Sequence, residues 1–498
     1  MNPPARPAVA GRRHWAWTAA GIAVAVVLLG SAYYLKKRPS GTPPAKLPVI
    51  QSDRYLVGAH YYHWYPRNFR HGYLREHLRP RQTFPGGEYQ STDIEVIARH
   101  IAWCSEYGID FLSIGWWSHE PERTESFLDH LYRTPNIADI KFCVFYETQS
   151  LGFDPKLGTT SFDEAKTARM IADFEKIAAR CFSHPSYLRL RGRPVVFLYL
   201  SRTFSGAFAP AVARLRSAMR TRGYDLFLIG DEIFWRVSPV VPSGRIPFPL
   251  VKTPQPARFC LFDAITSYNM YESGAASQKG YAAQSTYVSD VAAKYAEYIS
   301  AAAGRVYFVP QIIPGYNDRG VRRRENHYAI PREWSEGSGE ASLFASLFDR
   351  TALRFLDPRL NMILITSFNE WNEDTAIEPL EPSGPTRTDD SASGNEYTQG
   401  YSYSGHGLRY LETLRNKVLA LCGTVRRGSG AVPGAVVRAY KGQQLMAETR
   451  TDSAGRFRFS RLALPADQYT IRAADQPDSA YPVTVRPGTC STGIHLKR

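Results

Sequence analysis

Cysteine is scarce and scattered: Cys104, Cys143, Cys181, Cys260, Cys422 and Cys490 are the only six in 498 residues. None forms a CxxC pair or a Cys/His cluster of zinc-ligand spacing, so no structural metal is indicated, and no cofactor is expected. Cys422 and Cys490 flank the C-terminal segment. They read equally as a staple formed in an oxidising compartment or as two free thiols. No Asn begins an Asn-x-Ser/Thr acceptor, which argues against a eukaryotic luminal glycoprotein. Acidic residues are absent from positions 1–46, which carry about +7, and residues 422–498 carry about +7 again. Of the net +15, about +1 is left for 47–421. A nucleic-acid enzyme would gather basic charge around its cleft, so this distribution argues against nucleic acid as a partner.

Trp15 to Leu35 is an uncharged apolar stretch of membrane-spanning length. It follows a basic tail, 1–14, and precedes a Pro/Gly/Lys linker, 36–50. Trp15, Trp17, Tyr33 and Tyr34 stand at its two ends as interface anchors. Arg12-Arg13 before it and Lys36-Lys37-Arg38 after it nearly balance, so orientation is not fixed by charge. A cleaved signal is the alternative, with Gly30 and Ala32 at the cleavage site and residues 1–32 lost; Arg12-Arg13 also resembles a twin-arginine export signal. The basic cluster after the run favours an anchor. Either way the expectation is a catalytic domain outside the cytoplasm, in a bacterial cell envelope or secreted.

From 51 to 420, eight apolar, β-branched runs alternate with amphipathic stretches, which predicts an α/β (β/α)8 barrel. The runs are 55–63, 109–116, 140–147, 194–200, 225–230, 262–268, 306–312 and 362–368. Polar and aromatic residues recur at their C-terminal ends, where a barrel builds its active face. They include Tyr61, Tyr62 and Trp64, then Trp116 and Trp117, Glu147, Tyr268, and Tyr316 with Arg319. Aromatic faces stack on sugar C–H surfaces while acids and amides bond hydroxyls. Residues 421–498 change to short alternating strands with Gly/Asp turns and predict a small β-sandwich.

The eighth run leads directly into Asn369-Glu370-Trp371-Asn372-Glu373. Two carboxylates three residues apart, beside an indole and two amides, suit glycosidic cleavage: one carboxyl serves the leaving oxygen and the other the opposite face of the sugar.

The stretch Ile365 to Glu373, followed by Ile377-Glu378-Pro379, resembles the signature of glycoside hydrolase family 99, the endo-α-mannosidases and endo-α-1,2-mannanases. Further blocks in the same order extend the resemblance over 51–420: Tyr61-Tyr62-x-Trp64-Tyr65, Gly108-Ile109-Asp110 leading to Trp116-Trp117, Phe145-Tyr146-Glu147, Gly192-Arg193-Pro194-Val195, and Pro314-Gly315-Tyr316-x-Asp318 with Arg319 and Arg322. The resemblance implies a retaining, endo-acting α-mannoside hydrolase that needs no metal. In it Glu370 takes the proton of the sugar 2-hydroxyl, which attacks the anomeric carbon, and Glu373 is the acid and then the base. Glu147, Tyr268 and Trp117 match further site positions. The chain departs from the family at Asn372 and Asp374, where Trp-His-Glu-Gly is usual, at Tyr146-Glu147-Thr148, and at Tyr199-Leu200-Ser201. These departures bear on which sugar is bound. Family-99-like proteins of cell-surface polysaccharide biosynthesis are an alternative, but their early Trp-Trp-Gly-x-Gly-Phe-Thr-Glu-Trp block is missing. A non-catalytic glycan-binding barrel is a third reading, disfavoured by the intact Glu pair. Residues 421–498 resemble carboxypeptidase regulatory-like modules.

Overall fold

The computed structural model describes residues 47–154, 158–233, 253–270, 284–325, 327–474 and 480–497. The expected anchor at 15–35 lies outside these. Among the described residues no helix is long and apolar enough to cross a membrane.

Eight parallel strands carry the larger part: β1 (Leu56–Tyr61), β2 (Phe111–Trp117), β3 (Lys141–Glu147), β4 (Arg193–Leu198), β5 (Phe227–Asp231), β6 (Ala264–Thr266), β7 in two parts (Tyr307–Phe308 and Gln311–Ile312) and β8 (Met362–Ile365). β1 pairs with both β2 and β8. The first part of β7 pairs with β6 and the second with β8, so the sheet curls round and closes as a TIM-like barrel. Both faces of such strands are buried, which explains their continuous apolar sequences. At Gly58 a Cβ would lie 2.1 Å from the Phe111 ring, so only a bare Cα lets that ring fill the interior.

Helices α1 (Ile94–Tyr107), α2 (Pro121–Arg133), α3 (Glu164–Ile177), α4 (Phe208–Thr221), α5 (Gln284–Ala302), α6 (Ser342–Leu347) and α7 (Arg409–Val418) alternate with the strands. Asp93 caps α1 by accepting from the Glu95 amide, and Gly108 ends it in the left-handed conformation at φ 95°.

Helix α7 runs into the second part without a linker. Its strands are β9 (Leu419–Arg427), β10 (Gly430–Ala431), β11 (Val436–Lys441), β12 (Gln444–Arg450), β13 (Arg456–Ser460), β14 (Asp467–Ala473), β15 (Tyr481–Val485) and β16 (Ser491–Lys497). They form two four-stranded sheets whose alternate residues, among them Leu421, Val425, Val437, Phe457, Phe459 and Ile471, close a separate apolar core. The Cys422 and Cys490 sulfurs are free and lie 3.6 Å apart.

This module sits under the N-terminal ends of the barrel strands. Arg458 pairs with Asp110 at 2.8 Å, just before β2, and Arg456 with Glu106 at 3.0 Å. The Ser453 amide donates to Asp139, just before β3. Residues 47–55 lie on the same floor: the Tyr55 amide donates to Ser460 Oγ, and Tyr307 donates to the Pro48 carbonyl.

At the opposite end, a buried ion cluster ties three loops together. Arg75 Nε lies 2.7 Å from Asp374 Oδ1, and its Nη2 lies 2.6 Å from Glu340 Oε1. Arg332 Nε reaches Asp374 Oδ2 at 2.9 Å and its Nη2 the Asp374 carbonyl at 2.6 Å. Asp374 has φ 49°, a conformation that suits the glycine usual there and that Asp tolerates better than most residues. Burial pushes Glu340 up, but the Arg75 and Arg332 charges outweigh it and hold its carboxyl down at about 2. Removing one member strands the others in a dry site. Asp374→Ala is therefore expected to cost about 3–5 kcal/mol, read as a fall in the urea midpoint; a loss below 1 kcal/mol would show that the cluster is not a structural tie.

Candidate active site

The site is built at the C-terminal ends of β1, β2, β3, β4, β6 and β8. The chain leaving β8 makes a tight ring, in which the Ser367 amide donates to the Thr375 carbonyl and the Thr375 amide to the Glu370 carbonyl. Inside this ring the Glu370 amide donates to Ser367 Oγ at 2.7 Å, and Glu370 Oε1 accepts from the Asn372 amide at 2.9 Å. Glu370 is thus fixed at both its backbone and its carboxylate. Glu373, less buried, accepts from Arg322 Nη1 at 3.2 Å.

Glu147 ends β3. Its Oε1 stands 3.5 Å from where a Cβ on Gly115 would be, as does Trp117 Nε1. A side chain at 115 would occupy the space beside both groups. Burial pushes the Glu147 carboxyl well above the ordinary range, and the charges of Glu370 and Glu373 push it further. Glu370 is raised well above its ordinary value too, first by burial and then by Glu373, against the Asn372 amide and Arg322. Three carboxylates so close cannot all ionise cheaply, and the site holds protons into a range where free carboxyls have lost them.

Tyrosines line the rest. The Tyr62 and Tyr268 hydroxyls hydrogen-bond to each other. Trp64 stacks on Tyr62 with centroids 4.3 Å apart, and Trp117 lies 6.2 Å from Trp64. Tyr199, beyond β4, carries a hydroxyl that accepts from the Asn269 amide at 3.2 Å. All three tyrosines are raised by burial, so they stay neutral. His60 packs against Phe145 and Tyr268 beneath them, and burial lowers it to about 3, so it is neutral as well.

The other sequence-selected residues have different places. Register puts Trp116 beside Tyr146, whose hydroxyl donates to Asp173 on α3, so this face of the sheet meets the helices. Trp116 is fully buried there in the hydrophobic core. Tyr61 also faces outward, bonding His100 of α1 at 3.0 Å. Trp371, the indole beside the Glu pair, is fully buried in an apolar cluster with Tyr65, Phe69 and Phe84, and it donates to Glu378 at 2.8 Å. Glu378 also accepts from Tyr89, which makes it the anchor beneath the loop. Asn369 exchanges two hydrogen bonds of 2.8 Å with the Tyr62 backbone and locks the β8 loop to β1. Arg319 donates to the Glu396 and His327 carbonyls and braces a loop. Tyr316 is buried, its hydroxyl raised by burial and then by the charges of Glu373 and Asp318.

Arg322 and Tyr199 appear in the sequence only within the family blocks, without a site role, and His60 was not singled out. The four-residue spacing from Asp318 to Arg322 was a signal for the first, since that spacing makes neighbours on a helical turn. Arg202, Asp231 and Asn269 form a supporting network, in which Arg202 bonds both Asp231 and Asn269 and the Tyr268 amide donates to Asp231.

A carboxyl whose folded value is raised keeps a proton that the unfolded chain has already lost. Its burden on stability is absent below the ordinary carboxylate range and grows as pH rises from there through the raised value. Glu147→Gln is therefore expected to gain about 1–2 kcal/mol at pH 8 and little or nothing at pH 4, read from melting curves at both pH values. A larger gain at pH 4 would contradict the raised carboxyl.

The fold has a counterpart among solved structures. A solved structure of a glycoside hydrolase-like protein aligns with a TM-score of 0.52 at 21% identity, over 76% of this chain and 97% of that one, a likeness of fold. The GH99 endo-alpha-mannosidase from Bacteroides thetaiotaomicron aligns at 0.46 and 19%, over 74% of this chain and 97% of its own. No curated protein sequence matches. Residues 420–494 match the carboxypeptidase regulatory-like domain, which agrees with the two-sheet module. The family described as glycosyltransferase WbsX matches residues 50–386, well over half the chain, although the Trp-rich block of the biosynthetic proteins is missing. By that match over its barrel, this chain belongs to the glycosyltransferase WbsX family.

Proposed function

We propose that this chain is a retaining, endo-acting glycoside hydrolase that cleaves internal α-mannosidic linkages, working outside the cytoplasm from an N-terminal anchor at 15–35. The observation that carries this reading is the pairing of a buried, proton-hungry Glu370 with a less buried Glu373 on one loop at the mouth of the barrel.

A base with a raised carboxyl value is a stronger base once ionised. Glu370 accepts the proton of the 2-hydroxyl, and O2 attacks the anomeric carbon as the glycosidic bond breaks. Glu373 gives its proton to the departing oxygen. The 1,2-anhydro sugar is then opened by water, whose proton returns to Glu373, while Glu370 gives its proton back to O2. Two displacements at one carbon retain its configuration. Tyr62, Trp64 and Trp117 offer the aromatic wall against which sugar rings stack.

A second reading is favoured by the family's description as a glycosyltransferase. The first half of the reaction is the same, and a sugar hydroxyl takes the place of water in the second.

Incubating the purified chain with α-mannan should release oligosaccharides whose size reports an internal cut. Glu370→Gln and Glu373→Gln should each lower kcat/KM by about 10²–10⁴-fold. Longer products that appear only when an acceptor sugar is added would favour transfer. Glycan binding without turnover, unchanged by both substitutions, would leave a binding barrel.

A further inference from the structure

Arg322 is shared. Its single Nη1 atom lies 3.1 Å from Asp318 Oδ2 and 3.2 Å from Glu373 Oε1. The same Asp318 oxygen is met from the other side by His327 Nδ1 at 2.8 Å. His327, Asp318, Arg322 and Glu373 thus form one line of alternating donors and acceptors. We propose that Arg322 is a positioning residue that sets the ionisation of Glu373, and that Asp318, backed by His327, limits how much of the Arg322 charge Glu373 receives. This rests on the reading of Glu373 as the acid and base.

The reasoning is electrostatic. A general acid must hold its proton until the leaving oxygen takes it, and a guanidinium at hydrogen-bond distance works against that. The conflict is eased if a second carboxylate draws on the same guanidinium. Asp318 can do so throughout the working range. Its side chain is fully buried, yet His327 and Arg322 outweigh burial and hold its carboxyl below the ordinary range. Glu373 therefore meets a cation already engaged elsewhere. Once the proton has left, the same Nη1 lies in place to stabilise the carboxylate.

The other groups facing Glu373 act in known directions. Glu370 on the same loop and Glu147 on β3 add negative charge when ionised. Tyr199 beyond β4, Tyr268 beyond β6 and Tyr316 beyond β7 are neutral. Around Asp318 the titratable groups are Tyr316, Arg322 and His327. Arg322 is thus the cation that meets Glu373 directly, and because it also lowers Glu370 the two carboxyls are followed separately.

The test compares the full chain with Arg322→Gln, Arg322→Lys and Asp318→Asn. Two quantities are followed: the pH profile of kcat/KM, and the carbon-13 NMR titration of side-chain carboxyls, with the Glu373 signal identified by its loss in Glu373→Gln. Activity needs Glu373 protonated and Glu370 ionised, so the alkaline limb is assigned to Glu373 where its carbon-13 signal titrates with that limb. Arg322→Gln should move that limb and the Glu373 signal to higher pH by about one unit, the scale of a close charge pair. Asp318→Asn should move both to lower pH, and Arg322→Lys should stay near the parent. Shifts of the same sign in Arg322→Gln and Asp318→Asn, or no shift in variants that melt cooperatively, would overturn the proposal. Opposite NMR shifts with no glycan cleaved by any variant would uphold the coupling and remove the hydrolase reading instead.

Discussion

Asp374 meets two guanidiniums in the dry interior, and the mouth of the barrel depends on that meeting. Arg75 arrives from the connection between β1 and α1, Arg332 from the segment after β7, and Asp374 immediately follows Glu373. Glu340 completes the cluster and passes the tie to the Ser404 backbone and hydroxyl. Each charge would be costly alone, and in this arrangement each has an opposite at hydrogen-bond distance. Such a cluster tolerates little displacement. It fixes the backbone one residue from Glu373, while the Asn369 bonds to β1 fix it one residue from Glu370. The two carboxylates are thus held from both sides by polar contacts that water does not reach.

The same exclusion of water gives the carboxylates their chemistry. Burial raises Glu147 and Glu370 first, and the charge of Glu373 raises both further. The neutral tyrosines around them add hydroxyl groups without adding charge. Stability and proton affinity are opposed here: the burial that raises the Glu370 carboxyl also makes it a poor component of a folded core. The ion cluster, through Asp374, and the Trp371–Glu378–Tyr89 knot brace the loop that carries this buried group.

The barrel was legible because a parallel strand covered on both faces reads as an apolar run, and all eight runs became strands. The β-module was legible from its alternation and turns. What one sequence does not reveal is which parity of a doubly buried strand faces the axis. Tyr61 and Tyr62, or Trp116 and Trp117, are equivalent as letters, and only the register with Tyr146 and the bond to His100 separates them. The burial of Trp371 was not legible for a different reason: its partner Glu378 lies seven residues on, across a loop with no periodicity. Arg75 and Asp374 are 299 residues apart, and nothing local joins them.

The chain enters the barrel at the floor, through residues 47–55, and leaves through α7 into a module fastened to that same floor by Arg456, Arg458 and Ser453. Among the described residues, these attachments are on the side away from the carboxylates. No described contact of the module reaches the mouth, so the way the module is fastened and the chemistry of the carboxylates can change independently of each other.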